Sequence, residues 1–175
     1  MARGPTTGLH VSRNNRLSRG QGRFAAEIDE WVLATQQRLT AVLRESTKRV
    51  IAEMQREGPS KKNPAGDGGN MPIDTGFLRA SLVVVINGDP PPARRMSDGQ
   101  KHLYNASAIT LEIAKFNAGD RLVAAYTASY ARAVEYGAEG REGRGFSRLA
   151  AQRWKPIVAE VTAEAKARVA ARSGS

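Results

Sequence analysis

Near its middle, the chain reads Ile73-Asp74-Thr75-Gly76-Phe77-Leu78-Arg79-Ala80-Ser81. The side chain of Asp74 or Thr75 can accept hydrogen bonds from the amides of the following turn, as residues at helix starts do. Gly76 relaxes the steric limits on the backbone at this point. The segment is therefore predicted to be a capped turn that begins a short helix.

The rest of this segment leads from the turn into a strand. Phe77 and Leu78 are predicted core anchors, whereas Arg79 and Ser81 are expected to face solvent or a partner. Residues 82–86 are rich in β-branched side chains and are followed by an Asn-Gly pair. That pattern predicts a well-buried strand.

A second segment, further along the chain, reads Tyr130-Ala131-Arg132-Ala133-Val134-Glu135-Tyr136-Gly137. Tyr130, Ala131 and Val134 have the spacing of one helix face. Gly137 suits a left-handed C-terminal cap. The second segment is therefore predicted to be a short helix that ends at a glycine.

The longest periodic pattern precedes both segments. From Arg23 to Glu57, apolar residues recur with a period near that of a helix, and no glycine or proline interrupts them. Gly58 and Pro59 then supply a stop. Such a helix would be about 50 Å long, so we expect it to project, to break or to pack against another subunit.

Two further strands are predicted between the quoted segments. Residues 109–116 alternate apolar and polar side chains, which predicts a strand with one wet face. Residues 121–128 are predicted to be the next strand, joined to the first as an antiparallel hairpin by the short turn at 117–120. Residues 58–71 and 87–105 are predicted to be long loops.

The end of the chain is again helical in pattern. Residues 138–145 are predicted to be a charged, glycine-rich loop, and residues 147–172 a helix with its apolar side chains close to one face. At Pro156, either a short turn precedes a helix that starts near Lys155, or the helix is kinked.

The predicted fold is α+β, with a long N-terminal helix and a C-terminal helix packed on a small, mainly antiparallel β-sheet. We expect an extended basic N-terminal arm at residues 1–22, a single domain at 23–172 and a tail at 173–175.

Taken in order, these features resemble the neck and tail-completion proteins of long-tailed bacteriophages. That family has an N-terminal helix, an Asp-Thr-Gly-x-Leu-Arg-x-Ser-like turn followed by strands, and a Tyr-Ala-x-x-Val-Glu-Tyr-Gly-like segment before a Phe-containing loop and a C-terminal helix. The resemblance covers residues 23–172. The matching positions are Asp74, Thr75, Gly76, Leu78, Arg79, Ser81, Tyr130, Ala131, Val134, Glu135, Tyr136 and Gly137.

The resemblance implies a structural virion protein, a ring-forming subunit that joins the tail to the head and surrounds the DNA channel. A hexamer is expected, with adjacent neck proteins (head-completion, tail-terminator or tail-tube subunits) and genomic DNA as further partners. The protein would be assembled in the bacterial host cytoplasm and located in the virion neck. A tail-terminator or head-closure role stays open. Because the resemblance brings both segments into one domain, Glu135 and Arg79 are hypothesised to form an ion pair.

The formal net charge of +10 over 175 residues favours a polyanionic partner. The arm at residues 1–22 has no acidic residue, and it either stays disordered or orders against neighbouring subunits or nucleic acid. An alternative function is a free basic nucleic-acid-binding protein, although no helix-turn-helix or zinc-finger pattern is recognisable. The candidate contacts to a partner or DNA are Arg3, Arg13, Arg16, Arg19, Lys61, Lys62, Arg94 and Arg95.

The sequence contains none of the catalytic or metal-binding patterns that we searched for. Its histidines are His10 and His102, neither with a nearby set of metal ligands, and it has no cysteine. The glycine-rich stretch at 58–71 lacks the Gly-Lys-Ser/Thr sequence of a P-loop. We therefore expect no catalysis, cofactor or metal. No stretch approaches the roughly 20 apolar residues of a membrane span, so no membrane partner is expected.

Overall fold

The computed structural model describes residues 15–60 and 63–173, with side chains from residue 22 to residue 172 of these ranges. Contacts along the chain define two compact units, one that ends at Arg38 and one that begins at Leu39. The single domain expected at residues 23–172 stays a prediction. The α+β class is confirmed.

The elements follow one another in a simple order along the described residues. They are α1 (Asn15–Gln55), α2 (Phe77–Ala80), β1 (Leu82–Ile86), α3 (Ala106–Ile113), β2 (Leu122–Tyr126), α4 (Ala131–Tyr136), β3 (Gly137–Ala138), β4 (Arg141–Glu142), α5 (Phe146–Gln152) and α6 (Trp154–Ser173).

Helix α1 confirms the long N-terminal helix but begins before the predicted residue 23. It starts at Asn15, so residues 15–22 are helical and do not belong to an extended arm. Adding one residue to an existing helix fixes few new dihedral angles for each hydrogen bond gained, so a stable helix extends readily into a polar segment. Residues 1–14 of the predicted arm lie outside the described residues.

Strands β1 and β2 form an antiparallel pair, with Leu82 opposite Tyr126 and Ile86 opposite Leu122. The sequence predicted strands at the positions of both β1 and β2. The predicted hairpin, which paired residues 109–116 with residues 121–128, is wrong. The partner of β2 is β1, which lies earlier in the chain. The connection between the two strands contains α3 instead of a further strand.

Helix α3 replaces the strand predicted at 109–116 because the same apolar residues also fit a helical period. The Asn105 side chain caps the helix by accepting a hydrogen bond from the Ala108 amide at 2.9 Å. Ile113 is buried, and Ile109, one helical turn before it, packs beside the same core. Leu111 lies between them in sequence and is 66% exposed, as a helix requires and a half-buried strand would not.

The C-terminal region consists of two helices separated at Arg153. Of the two alternatives at Pro156, a new helix that starts near Lys155 is therefore correct and a kinked helix is not. The element before it is the helix α5, where a short turn was expected. Pro156 lies in the first turn of α6, where a residue without an amide hydrogen leaves no helical bond unmade. Ile157 and Val161 are buried, whereas Val169 is exposed, so only the first part of the predicted apolar face is covered.

Two clusters of buried side chains form the core. The first joins α1, β1, α3 and α5 through Ile51, Met54, Leu82, Val84, Ile113 and Ala150. Helix α6 is tied to α1 by Arg49, whose two terminal nitrogens donate to the Glu164 carboxylate at 2.8 and 2.7 Å. This bidentate pair fixes the orientation of the two helices more firmly than a single contact would.

The second cluster lies under α2 and α4 and consists of Met71, Phe77, Leu78, Ala128, Ala131 and Phe146. The Tyr126 ring touches both clusters and meets Phe146 edge-on at 5.0 Å. Helix α5 contributes to both clusters as well, through Phe146 and Ala150. The two clusters therefore share Tyr126 and α5 as their link.

The described part of the loop at 58–71 folds back on the end of α1. The Gly58 amide donates to the Met71 carbonyl at 2.9 Å, and the Met71 amide donates to the Arg56 carbonyl at 3.1 Å. Met71 is fully buried. This loop thereby delivers its last residue to the second core cluster.

We predict that Tyr126→Phe leaves the free energy of unfolding unchanged or raises it by about 1 kcal/mol. The Tyr126 hydroxyl is buried without a hydrogen-bond partner in the part of the chain that the structure describes, so its removal costs no bond. Urea unfolding at neutral pH measures the change. A loss above about 1 kcal/mol would mean that the hydroxyl does have a partner.

Burial also raises the pKa of Tyr126, with smaller contributions from Tyr104 and Glu135. The raised pKa favours the neutral phenol in the folded state. Its stabilising contribution is complete below the unfolded pKa of about 10 and is lost as the pH rises above that value. The wild-type protein should therefore lose more stability than Tyr126→Phe between pH 9 and pH 11, a range of about one unit on either side of that pKa.

Candidate interaction site

The two quoted segments meet in the second core cluster. Phe77 and Leu78 of α2 are buried there against Ala131 of α4. Tyr130 and Val134 pack against the same cluster. Residues far apart in sequence thus form one structural unit, and the predicted core roles of Phe77 and Leu78 are confirmed.

Gly76 allows the first segment to turn against a neighbouring loop. Its φ of 81° is a left-handed conformation, and a Cβ atom at this position would overlap the carbonyl oxygen of His102. The His102 amide donates to the Thr75 carbonyl at 2.8 Å. Gly76 is therefore needed both for its backbone angle and for the close approach of residue 102.

The start of α2 is capped less strongly than the sequence predicted. Gly76 occupies the N-cap position and makes no side-chain cap bond, since it has no side chain. The Thr75 hydroxyl accepts a long hydrogen bond of 3.4 Å from the Phe77 amide, and the Asp74 side chain is exposed. The turn is held mainly by the Ala80 amide, which donates to the Gly76 carbonyl at 2.9 Å.

Ser81 does not face solvent, contrary to the prediction. It is 1% exposed, and its hydroxyl donates to the Leu78 carbonyl at 2.7 Å. Its own carbonyl accepts both the amide and the hydroxyl of Thr127, each at 3.0 Å. Ser81 is therefore a structural residue that joins the end of α2 to the end of β2.

Arg79 is half-buried, so its predicted exposure is also wrong. Its guanidinium lies over the Tyr104 ring, 5.3 Å from the ring centroid. Its backbone carbonyl accepts a hydrogen bond from the Gln55 side chain at 3.3 Å. The contact with Tyr104 is a cation–π interaction, which holds the charge beside α3.

Glu135 makes no ion pair with Arg79 within the described residues, so that hypothesis is wrong. Its carboxylate is 6% exposed and accepts hydrogen bonds from the amides of Ser147 and Arg148, both at 2.9 Å. These amides belong to the first turn of α5, whose donors have no partner within the helix. Glu135 therefore caps a helix that lies later in the chain.

Gly137 has a positive φ, as predicted, but not in the left-handed helical conformation. Its φ and ψ are 90° and 156°, and the chain leaves α4 in an extended form. A Cβ atom here would lie 2.9 Å from the Gly143 nitrogen. The two glycines let β3 and β4 approach closely, and the Arg144 amide then donates to the Val134 carbonyl at 2.8 Å.

A cavity of about 750 Å³ opens between the two segments. The first segment lines it from Ile73 to Leu78, and the second lines it with Tyr130 and Val134. The cations Arg141 and Arg144, which are both exposed, lie at its wall. The sequence predicted only a capped turn and a short helix for these segments, whereas the structure gathers both around one concave surface.

Two aromatic residues, Phe77 and Tyr130, are among those that line this cavity, and His102 and Arg95 lie behind Phe77 without lining it. Phe77 and Tyr130 stack with centroids 6.2 Å apart, and the His102 ring meets Phe77 edge-on at 5.1 Å. The Arg95 guanidinium lies 5.2 Å from the centroid of Phe77. Burial, and then the charge of Asp74, raises the pKa of the Tyr130 hydroxyl.

Of the predicted basic contacts, only Arg94 and Arg95 have described side chains. Arg94 and Arg95 are exposed in the loop after β1, and the backbone of Arg95 bonds to Thr127 and Ser129 at 2.9 Å each. Arg16 and Arg19 lie on α1, but their side chains are outside the described set. Arg3, Arg13, Lys61 and Lys62 lie outside the described residues.

Tyr136 is the one aromatic of the second segment that the structure leaves 66% exposed. The sequence missed Arg141 and Arg144 as cavity residues and Glu135 as a cap. The charge of the loop at 138–145 was recognised, but nothing in that pattern indicated which side its arginines would face. The hydrogen bonds of Glu135 depend on the close approach of Gly137 and Gly143. No pattern in the sequence indicates that these two glycines come together.

In residues 15–60 and 63–173, no group of acidic, histidine or cysteine side chains is placed to hold a metal. His102 pairs with Asp98 at 2.8 Å in an exposed loop, and this bond lowers the pKa of the Asp98 carboxyl. A concave aromatic surface with arginines at its edge can accept an extended or acidic protein segment.

No protein-family model, curated protein or solved structure matches this chain. Within the part of the chain with described coordinates, no helix has an apolar stretch of membrane-spanning length.

We predict that Glu135→Ala lowers the free energy of unfolding by roughly 2–4 kcal/mol, because the amides of Ser147 and Arg148 lose their acceptor. Glu135→Gln keeps one accepting oxygen and should cost less. Chemical denaturation measures both changes, with Glu160→Ala on the exposed side of α6 as the control. If Glu135→Ala and Glu160→Ala had equal small effects, the proposed capping role would be wrong.

We also predict that Gly76→Ala costs at least about 1 kcal/mol more than Gly119→Ala. Both glycines have a positive φ, 81° and 99° respectively, but only Gly76 faces a close backbone atom, since Gly119 has open space where its Cβ would lie. Gly119→Ala therefore reports backbone strain alone. Thermal unfolding of the two variants under one condition measures the difference, and equal losses would refute the role of the His102 carbonyl.

Proposed function

We propose that this chain is a structural virion protein of a long-tailed bacteriophage, a ring-forming neck or tail-completion subunit that joins the tail to the head. One observation carries the proposal. The two segments that resemble the family pack together around one cavity, and in chain order they lie between a long N-terminal helix and a C-terminal helix. Their coherence in three dimensions supports treating them as one signature and not as two chance matches.

The proposed mechanism is assembly, which requires no catalytic group, cofactor or metal. A ring subunit must offer two different, complementary surfaces to its two neighbours in the ring. The cavity with Arg141 and Arg144 is a suitable receptor for an acidic segment of an adjacent neck protein. Head-completion, tail-terminator and tail-tube subunits are the proposed neighbours, and a hexamer is the proposed ring.

The charge of the chain suits a position around a DNA channel. Its formal net charge is +10, which would attract phosphate groups or acidic faces of neighbouring rings. Arg94 is exposed in the loop after β1, where it is free to contact either. The protein would be made in the bacterial host cytoplasm and would end in the virion neck.

We expect gold-labelled antibody against this protein to bind purified phage particles at the head–tail junction in electron micrographs. A lysate that lacks the protein should contain separate filled heads and complete tails, and purified protein added to it should restore joined, infectious particles. Label on the capsid or baseplate, or no label on any particle, would refute the proposal. Tails of uncontrolled length in the deficient lysate would indicate a tail-terminator role instead.

The role of the cavity is tested in the same complementation assay. Arg141→Gln with Arg144→Gln should reduce joining at least tenfold, because the receptor loses its cations. The control is Arg132→Gln with Lys166→Gln, which removes the same charge from exposed positions that do not line the cavity. If both pairs reduce joining equally and also abolish salt-sensitive DNA binding by the isolated protein, free nucleic-acid binding becomes the better explanation.

A further inference from the structure

A smaller cavity lies between the second half of α1, helix α2 and helix α3. Its volume is about 220 Å³, several times the roughly 30 Å³ that a water molecule occupies in the liquid. Its polar lining residues are Lys48, Gln55, Arg79, Tyr104 and Thr110. Three helices and the loop before α3 therefore bring polar side chains to one concave space.

Gln55 presents a buried acceptor that has no donor. The side chain is 2% exposed, and its amide nitrogen donates to the Arg79 carbonyl at 3.3 Å. Since only the nitrogen can donate to a carbonyl, this bond fixes which end of the amide is the oxygen. The oxygen, Oε1, accepts no hydrogen bond from any residue that the structure describes. A ligand that donates to Oε1 would therefore stabilise the site.

Arg79 presents the opposite need, a donor that has no acceptor. Its Nε atom is buried and donates to no described residue. The guanidinium lies over the Tyr104 ring, 5.3 Å from the ring centroid. This cation–π contact holds the charge beside the cavity without neutralising it. Within residues 15–60 and 63–173, Arg79 forms no ion pair, so its charge is available to a ligand.

The other charged group of the lining is also a cation. Lys48 is half-buried and, like Arg79, has no ion-pair partner in the described part of the chain. None of the described residues that line the cavity is acidic. Burial raises the pKa of the Tyr104 hydroxyl, so this group remains a protonated donor at neutral pH. The cavity therefore favours an anion.

The ligand that matches these groups is an anion that also donates a hydrogen bond. Hydrogen phosphate meets both conditions, because its oxygens accept and its P–OH group donates. Sulfate, phosphodiesters and ionised carboxylates carry no proton at neutral pH, and a phosphate monoester loses its last proton above about pH 6. The unpaired Oε1 of Gln55 therefore favours free phosphate over these other anions.

We propose that this cavity binds inorganic phosphate in its hydrogen phosphate form. Arg79, Lys48 and Tyr104 donate to the phosphate oxygens, and Oε1 of Gln55 accepts from the P–OH group. Bound phosphate joins α1, α2 and α3 and stabilises the folded protein by mass action. The inference does not rest on the proposed neck function, since this cavity shares no lining residue with the one between the two quoted segments.

The first test compares three anions by isothermal titration calorimetry of the full chain, in chloride buffer of constant ionic strength. The anions are phosphate, sulfate and methyl phosphate, measured at about pH 8, two units above the second pKa of a phosphate monoester. Phosphate should bind at least tenfold more tightly than the other two, because it alone keeps a proton for Gln55. Equal affinities would mean that Gln55 makes no such contact, and undetectable phosphate binding would mean that water satisfies these atoms. Either result would overturn the proposal.

The second test removes one proposed contact at a time. Lys48→Gln should weaken phosphate binding at least fivefold. Its matched control is Lys166→Gln, which removes the same charge from an exposed position on α6. Gln55→Met should abolish the preference for phosphate over sulfate, because methionine has no oxygen to accept the P–OH hydrogen, and circular dichroism checks that this variant is folded. If Lys48→Gln and Lys166→Gln bind phosphate alike, the proposal is wrong whether or not Gln55→Met folds.

Discussion

The buried carboxylate of Glu135 is the interaction on which the arrangement of the core depends. A carboxylate removed from water must be bonded, and Glu135 is satisfied by the first amides of α5. The bonds fix where α5 begins, and thereby place Phe146 in one core cluster and Ala150 in the other. The close backbone approach at Gly137 and Gly143 keeps α4 and α5 near enough for these bonds. Since Tyr126 packs on Phe146, the position of β2 depends on the same cap.

The sequence predicted the elements whose signal is local. The period of α1, the β-branched run of β1 and the anchors Phe77 and Leu78 needed only neighbouring residues. The sequence prediction failed at residues 109–116, where one pattern fits two structures. The spacing of Ile109 and Ile113 is compatible with an alternating strand and also with one turn of a helix. The pairing of β1 with β2 was missed for a related reason, since a short turn suggests a hairpin only if the preceding segment is a strand.

The candidate site was predictable as a list of residues but not as a surface. The motif positions do converge, yet Ser81 is buried and Arg79 lies on the Tyr104 ring, although both were expected at the surface. A polar side chain can form its hydrogen bonds with nearby backbone atoms or with water. Whether it does one or the other depends on long-range packing, which the local sequence does not determine. The cations that line the cavity come instead from a loop that carried no motif.

Helix α1 illustrates a more general limit of hydrophobic periodicity. The pattern reports that a face needs cover, and it does so equally for the half that packs in its own core and for the half that ends at Arg38. Only coordinates separate the two cases, because burial is a property of the partner and not of the stripe. An apolar stripe that outruns its own domain is therefore evidence about assembly as well as about folding.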